Sequence, residues 1–130
     1  MIFLALSGIH FYWACGGRMS WGTAIPSKAD GTPLINPGII ATLVVAFGLL
    51  LFAIITLGNS NLVPFDLNQW YVITGDWIII IIFGLRAVGD FNMVGFFKRI
   101  KGTPFAINDT KYYSPLCLFL SLTTLAIKLR

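Results

Sequence analysis

Arg86 and Asp90 stand four residues apart in the run WYVITGDWIIIIIFGLRAVGDFNMVGFFKR, residues 70–99. On a helix that spacing places them on one face. The run reads as one transmembrane helix whose final charges, Lys98 and Arg99, reach the membrane surface. At about 1.5 Å per residue, Arg86 lies about 18 Å from Lys98 along the axis. That is close to the middle of a hydrocarbon core about 30 Å thick, where a charge marks a functional site by default. Two other helices offer polar groups at matching depth. His10 precedes Gly17 by seven residues, Asp90 precedes Lys98 by eight, and Ser121 follows Ser114 by seven. Each therefore lies about 10–12 Å below a common boundary.

Such a level could hold an anionic or polar head group on Arg86, with His10 able to trade a proton near neutral pH. Asp109, in the loop before the last helix, could cap the cluster from above. Tyr12 and Trp13 flank His10 and suit an interfacial aromatic belt. The ligand-binding candidates are thus His10, Tyr12, Trp13, Arg86, Asp90, Asp109 and Ser121. A structural reading stands beside this one: Arg86 and Asp90 as an internal ion pair, His10 and Ser121 as interhelical hydrogen-bond glue.

The elements that must carry these residues are set by composition. The 130 residues are 57% hydrophobic and 11% charged, with mean hydropathy +0.83. Soluble domains are charged at about a quarter of positions, so this chain belongs in a bilayer. An all-α, four-helix membrane bundle is expected as one transmembrane domain over residues 1–130, with helices at about 1–16, 38–58, 70–99 and 115–129. The first is short, so its natural start lies upstream or the bilayer thins around it. Ser7, His10, Ala14 and Gly17 form its small or polar stripe and should face the bundle. The second has no charge and is expected to be the most lipid-facing. Asp76 lies about one and a half turns inside the start of the third, as a wetted end residue or a vestibule residue. Cys117, Ser121, Thr124 and Lys128 line one face of the fourth. Gly84 and Gly95 should form a packing groove on the third.

A rival reading ends the third helix at Leu85 and lays residues 87–101 in the membrane plane. In-plane helices segregate charge from apolar surface. Here Asp90, Lys98, Arg99 and Lys101 scatter around the helical wheel, so the continuous helix is preferred.

All five acids are aspartates, and the net charge is +4. The basic residues concentrate in two loops and the tail, a topology signal and not a nucleic-acid one. Cys15 and Cys117 form no CxxC pair and are expected as free thiols on a reducing side. One histidine excludes HExxH, and no GxSxG, P-loop or dinucleotide fingerprint is present. No cofactor or metal is expected, and catalytic residues are unassigned.

The runs HFYWACGG, WGTAIPSKADGTPLINPG, RAVGDFNMVGFFKR and TPFAINDTKYYSPLCL resemble a family of small, mostly bacterial, four-helix membrane proteins catalogued as a domain of unknown function. The resemblance covers nearly the whole chain and implies the four-helix membrane architecture; it implies no activity. Three functions stay open. One is binding or transport of a small polar or amphiphilic molecule. Another is a membrane enzyme acting on a lipid or isoprenoid, with His10 or Asp90 as acid/base. The last is an accessory subunit of a membrane complex. The expected partners are the lipid bilayer, a small-molecule or lipid ligand and a second copy in a homodimer, with no nucleic acid. The expected location is the cell membrane, multi-pass, the inner membrane if the source is bacterial.

Arg18, Lys28, Lys101 and Lys111 lie in the first and third loops, against Lys128 and Arg130 on the opposite side. Positive-inside places those two loops in the cytoplasm and both termini outside. Single cysteines at positions 28 and 66 should therefore label from opposite sides of the membrane; labelling of both from one side would contradict the topology.

Overall fold

The computed structural model describes residues 1–30, 32–60, 69–89, 91 and 94–130. The described residues are helical: α1 (Ile2–Ala14), α2 (Trp21–Ala24), α3 (Ile39–Gly58), α4 (Gln69–Val88), α5 (Pro104–Asn108), a π-helical turn (Asp109–Tyr113) and α6 (Ser114–Leu129). Three stretches are long and apolar enough to cross a membrane: Ile39–Gly58, Gln69–Val88 and Pro104–Leu129. The chain divides into two compact units, one of Met1–Met19 and Pro37–Ile78, the other of Ser20–Asn36 and Ile79–Arg130.

In the first unit α1 packs on α3. Ala46 and Ala53 are almost fully buried on α3. Small side chains there let the helices approach closely, the usual solution where lipid gives no hydrophobic drive. The approach is close enough for the Ser7 hydroxyl to donate to the Ala46 carbonyl at 2.8 Å. Phe3 meets Phe52 and Phe11 meets Phe47 edge to face, with centroids 5.9 and 5.1 Å apart. The small or polar stripe of α1 therefore faces inward at Ser7, as its spacing implies. Gly16, at φ 95°, ends α1 in a Schellman turn. Its N–H reaches the Trp13 carbonyl and that of Gly17 the Tyr12 carbonyl, both at 3.0 Å. With 13 residues, α1 covers about 20 Å, less than a full hydrocarbon core.

Two expectations need correction in this unit. The α3 span is not the most lipid-facing, because its small-residue stripe packs on α1. It is 28% buried, equal to the α4 span and more than the 17% of Pro104–Leu129. Its other face, with Ile40, Val44 and Leu51, is exposed. Asp76 is buried and not wetted, and it accepts a hydrogen bond from the Asn59 amide at 3.3 Å.

In the second unit the later half of α4 meets α6. Ser121 donates to the Ile80 carbonyl at 2.9 Å. Gly84 lies against the same hydroxyl, leaving no room for a larger side chain to seat without displacing it. The short α2 of the first loop packs on α5 of the third, so those two loops share one end of this unit. Asp30 fixes a turn in the first loop, accepting from the Thr32 hydroxyl at 2.6 Å and the Thr32 amide at 3.0 Å. The Thr32 hydroxyl, with the amide behind it, holds the Asp30 carboxyl below its usual range.

The third expected helix is shorter than the sequence implies. It stops at Val88, and Gly89 turns left-handed at φ 84°. The described residues between Val88 and Pro104 form bends and turns, neither a continued helix nor an in-plane one. The last helix is longer than expected, because helical backbone begins at Pro104. Thr103 caps it, its hydroxyl accepting from the Ala106 amide at 3.1 Å. The π turn then passes the chain into α6 without a break.

Ala46→Leu should overpack the α1–α3 contact and cost about 1–3 kcal/mol. The exposed Val44→Leu should stay within about 0.5 kcal/mol of the parent. Thermal unfolding in detergent compares the two directly.

Candidate polar site around Asp109

Asp109 opens the π turn and is completely buried. A carboxylate can be held in such a place only if its charge is met and its lone pairs are filled. Three donors do this. Arg86 Nη2 lies 2.9 Å from Oδ1. Lys98 Nζ and the Gly95 amide lie 3.0 and 2.8 Å from Oδ2. Lys98 also donates to the Gly95 carbonyl at 2.9 Å and to the Thr110 hydroxyl.

Local geometry explains how three separate segments converge. The left-handed Gly89 redirects the chain at the end of α4. A Cβ at Gly89 would run into the Val94 carbonyl, and one at Gly95 into the Val88 carbonyl. Only glycine lets the two backbones pass this closely. The Phe96 amide then bonds back to the Ala87 carbonyl at 2.9 Å. This folded return carries Lys98 inward. From the other side, the π turn widens the helix by one residue at Asp109; such single-turn widenings often sit at functional sites.

Lys98 was expected at the membrane surface. It is instead 2% exposed, because the chain has left the helix before reaching it. Gly95 is not part of a helical packing groove; it is a left-handed loop residue whose amide binds Asp109. Asp90 lies outside the described residues, so its pairing with Arg86 does too. Asp109 was expected to cap the cluster and is its centre. Ser121 is in the same unit, bonded to the backbone of α4 as interhelical glue.

His10, Tyr12 and Trp13 belong to the first unit. His10 Nδ1 lies 2.8 Å from the Leu6 carbonyl of its own helix. A carbonyl only accepts, so Nδ1 carries the proton and Nε2 is the acceptor in the neutral ring. The Trp13 indole donates to the Met19 carbonyl at 2.9 Å, and the Tyr12 ring covers Gly17. Both cysteines are free thiols.

Among the described residues, two cations face one carboxylate at this site. They differ in access. The Lys98 and Asp109 side chains are 1% and 0% exposed, whereas that of Arg86 is 32% exposed. Two further polar atoms, Arg86 Nη1 and Ser114 Oγ, are buried with no hydrogen-bond partner among the described residues. Ser114 is one π turn beyond Asp109, its amide bonded to the Asp109 carbonyl. Sequence reasoning missed Lys98, Gly95 and Ser114. The one available signal was that no acid occurs between Asp90 and Asp109 to balance Lys98, Arg99 and Lys101.

The chain belongs to a family of proteins of unknown function (DUF3995), whose model matches residues 3–124. No curated protein and no solved structure matches it.

Asp109→Asn should leave Lys98 buried without a counter-charge and cost about 3–5 kcal/mol. The Arg86 contact should be worth less, since the guanidinium is partly solvated. Equilibrium unfolding of Asp109→Asn, Lys98→Met and the double variant should show strong non-additivity; simple addition would mean the buried pair is uncoupled.

Proposed function

We propose that this family member is a multi-pass membrane protein, built as a four-helix bundle, that binds a small molecule through an anionic group at Arg86. The supporting observation is the charge surplus at Asp109 among the described residues. One carboxylate faces two cations, and Arg86 keeps a buried guanidinium nitrogen without a partner among the described residues. A buried donor left unpaired costs about 1–3 kcal/mol, which an incoming acceptor would recover. The roles divide by access. Lys98 is sealed and holds Asp109; Arg86 spans from the surface to the interior and can offer its other nitrogen to a ligand oxygen. The Ser114 hydroxyl, one π turn beyond Asp109, is a second buried group without a partner among the described residues. A guanidinium that uses one nitrogen for a carboxylate and another for an anion exploits the forked geometry that lysine lacks. The three spanning helices and the exposed apolar surface of α3 support placement in the cell membrane.

Inorganic phosphate is a soluble probe for the anionic group. At about one hundred times its Kd it should stabilise the protein by about 2.7 kcal/mol, read as a rise in Tm over chloride at equal ionic strength. Arg86→Lys keeps a cation for Asp109 and removes the second nitrogen. It should stay folded and lose most of the phosphate effect. Equal stabilisation of both proteins, or none in either, would leave Asp109 and its cations as a purely structural clasp.

A further inference from the structure

Lys98 turns inward, and its neighbours turn outward. Phe91, Phe96 and Phe97 are 59%, 39% and 64% exposed. The rings of Phe91 and Phe97 lie together, with centroids 6.2 Å apart. Arg99 and Lys101 are exposed beside them. Phe91 holds φ at 62°, a conformation that bulky side chains rarely take. That strain is sustained while the ring remains exposed, so burial within the chain does not account for it. The segment is not loose: Asp109 grips it through the Gly95 amide and the Lys98 ammonium.

We infer that Phe91 and residues 94–101 form an anchor for the surface of an anionic phospholipid bilayer. Phenylalanine rings enter the boundary between acyl chains and head groups, and Arg99 and Lys101 meet lipid phosphates. Three observations choose lipid as the occupant. The segment follows directly on α4, a helix able to cross a membrane, so it emerges at head-group level. Leu85 and Val88, in the last turn of α4, expose apolar side chains as well. Its exposed charges are both positive, and no acid occurs in the sequence from residue 91 to residue 108. Aromatic residues with neighbouring basic ones are the chemistry of interfacial binding. A helical wheel hides this pattern because the segment is not a helix. The turn geometry sorts Lys98 from the phenylalanines, as periodicity cannot. The inference is independent of Arg86.

The test uses the full chain in nanodiscs, with Cys15→Ser and Cys117→Ser in the background and Phe97→Cys carrying a bimane probe. Lipid-borne quenchers should find the probe about 5–10 Å into the boundary region, with little quenching by aqueous iodide. Native mass spectrometry of protein released from mixed phosphatidylglycerol and phosphatidylcholine discs should show preferential retention of the anionic lipid. Arg99→Gln and Lys101→Gln should each reduce that preference about fivefold. If iodide quenches the probe as freely as it quenches free dye, the anchor is wrong. Unchanged lipid preference in the Arg99→Gln, Lys101→Gln double variant would overturn the anionic specificity. Efficient 97-to-97 crosslinking, with the probe shielded from both lipid and iodide, would show a second copy on this face and overturn the inference as well.

Discussion

A single carboxylate with no exposed surface organises the second unit. Asp109 cannot remain ionised in that position unaided, and Arg86, Gly95 and Lys98 bring it donors. The left-handed Gly89, the close passage of Gly89 by Gly95, the inward Lys98 and the widened helical turn are the geometry in which those donors meet it. Replacing the cluster with apolar groups of similar shape is often neutral or stabilising in other proteins. Its use here is better sought in specificity: it ties Gly95 and Lys98 to the π turn.

The same cluster divides its two cations between different roles. A sealed ammonium and a partly exposed guanidinium on one carboxylate make an asymmetric site. Low dielectric strengthens the sealed contact and makes any unsatisfied donor nearby more costly. Arg86 Nη1 and Ser114 Oγ are such donors among the described residues. Among the described residues the clasp therefore also sets two cations against one carboxylate, the imbalance from which the binding reading starts. Its bonds to the Gly95 amide and Lys98 lie on either side of the exposed Phe96 and Phe97.

The first unit works by different means. No ion pair is needed where α1 meets α3, because small residues on α3 allow close packing and one serine-to-carbonyl bond tethers the pair. Buried polarity appears there at Asp76, held by Asn59. Both units leave large apolar side chains exposed on helices long and apolar enough to cross a membrane, an exposure that is costly in water and natural in lipid.

Hydropathy alone determined the all-helical, membrane-compatible character of the chain. A run of about twenty apolar residues has few alternatives to a spanning helix, whatever surrounds it. Local spacing was also enough for the inward face of Ser7 on α1 and of Ser121 on α6, since both lie on regular helix. The glycine signal at residue 84 was legible for the same reason. Tertiary structure alone decided which acid answers Arg86 among the described residues. Asp109 is 23 residues away in sequence, and no periodicity relates the two. It also decided where Lys98 goes. A helical wheel assigns directions only while the backbone stays helical, and Gly89 ends that regularity one residue after Val88. Beyond it, the Asp109 carboxylate draws Lys98 inward because an uncompensated buried charge costs more than bending the chain.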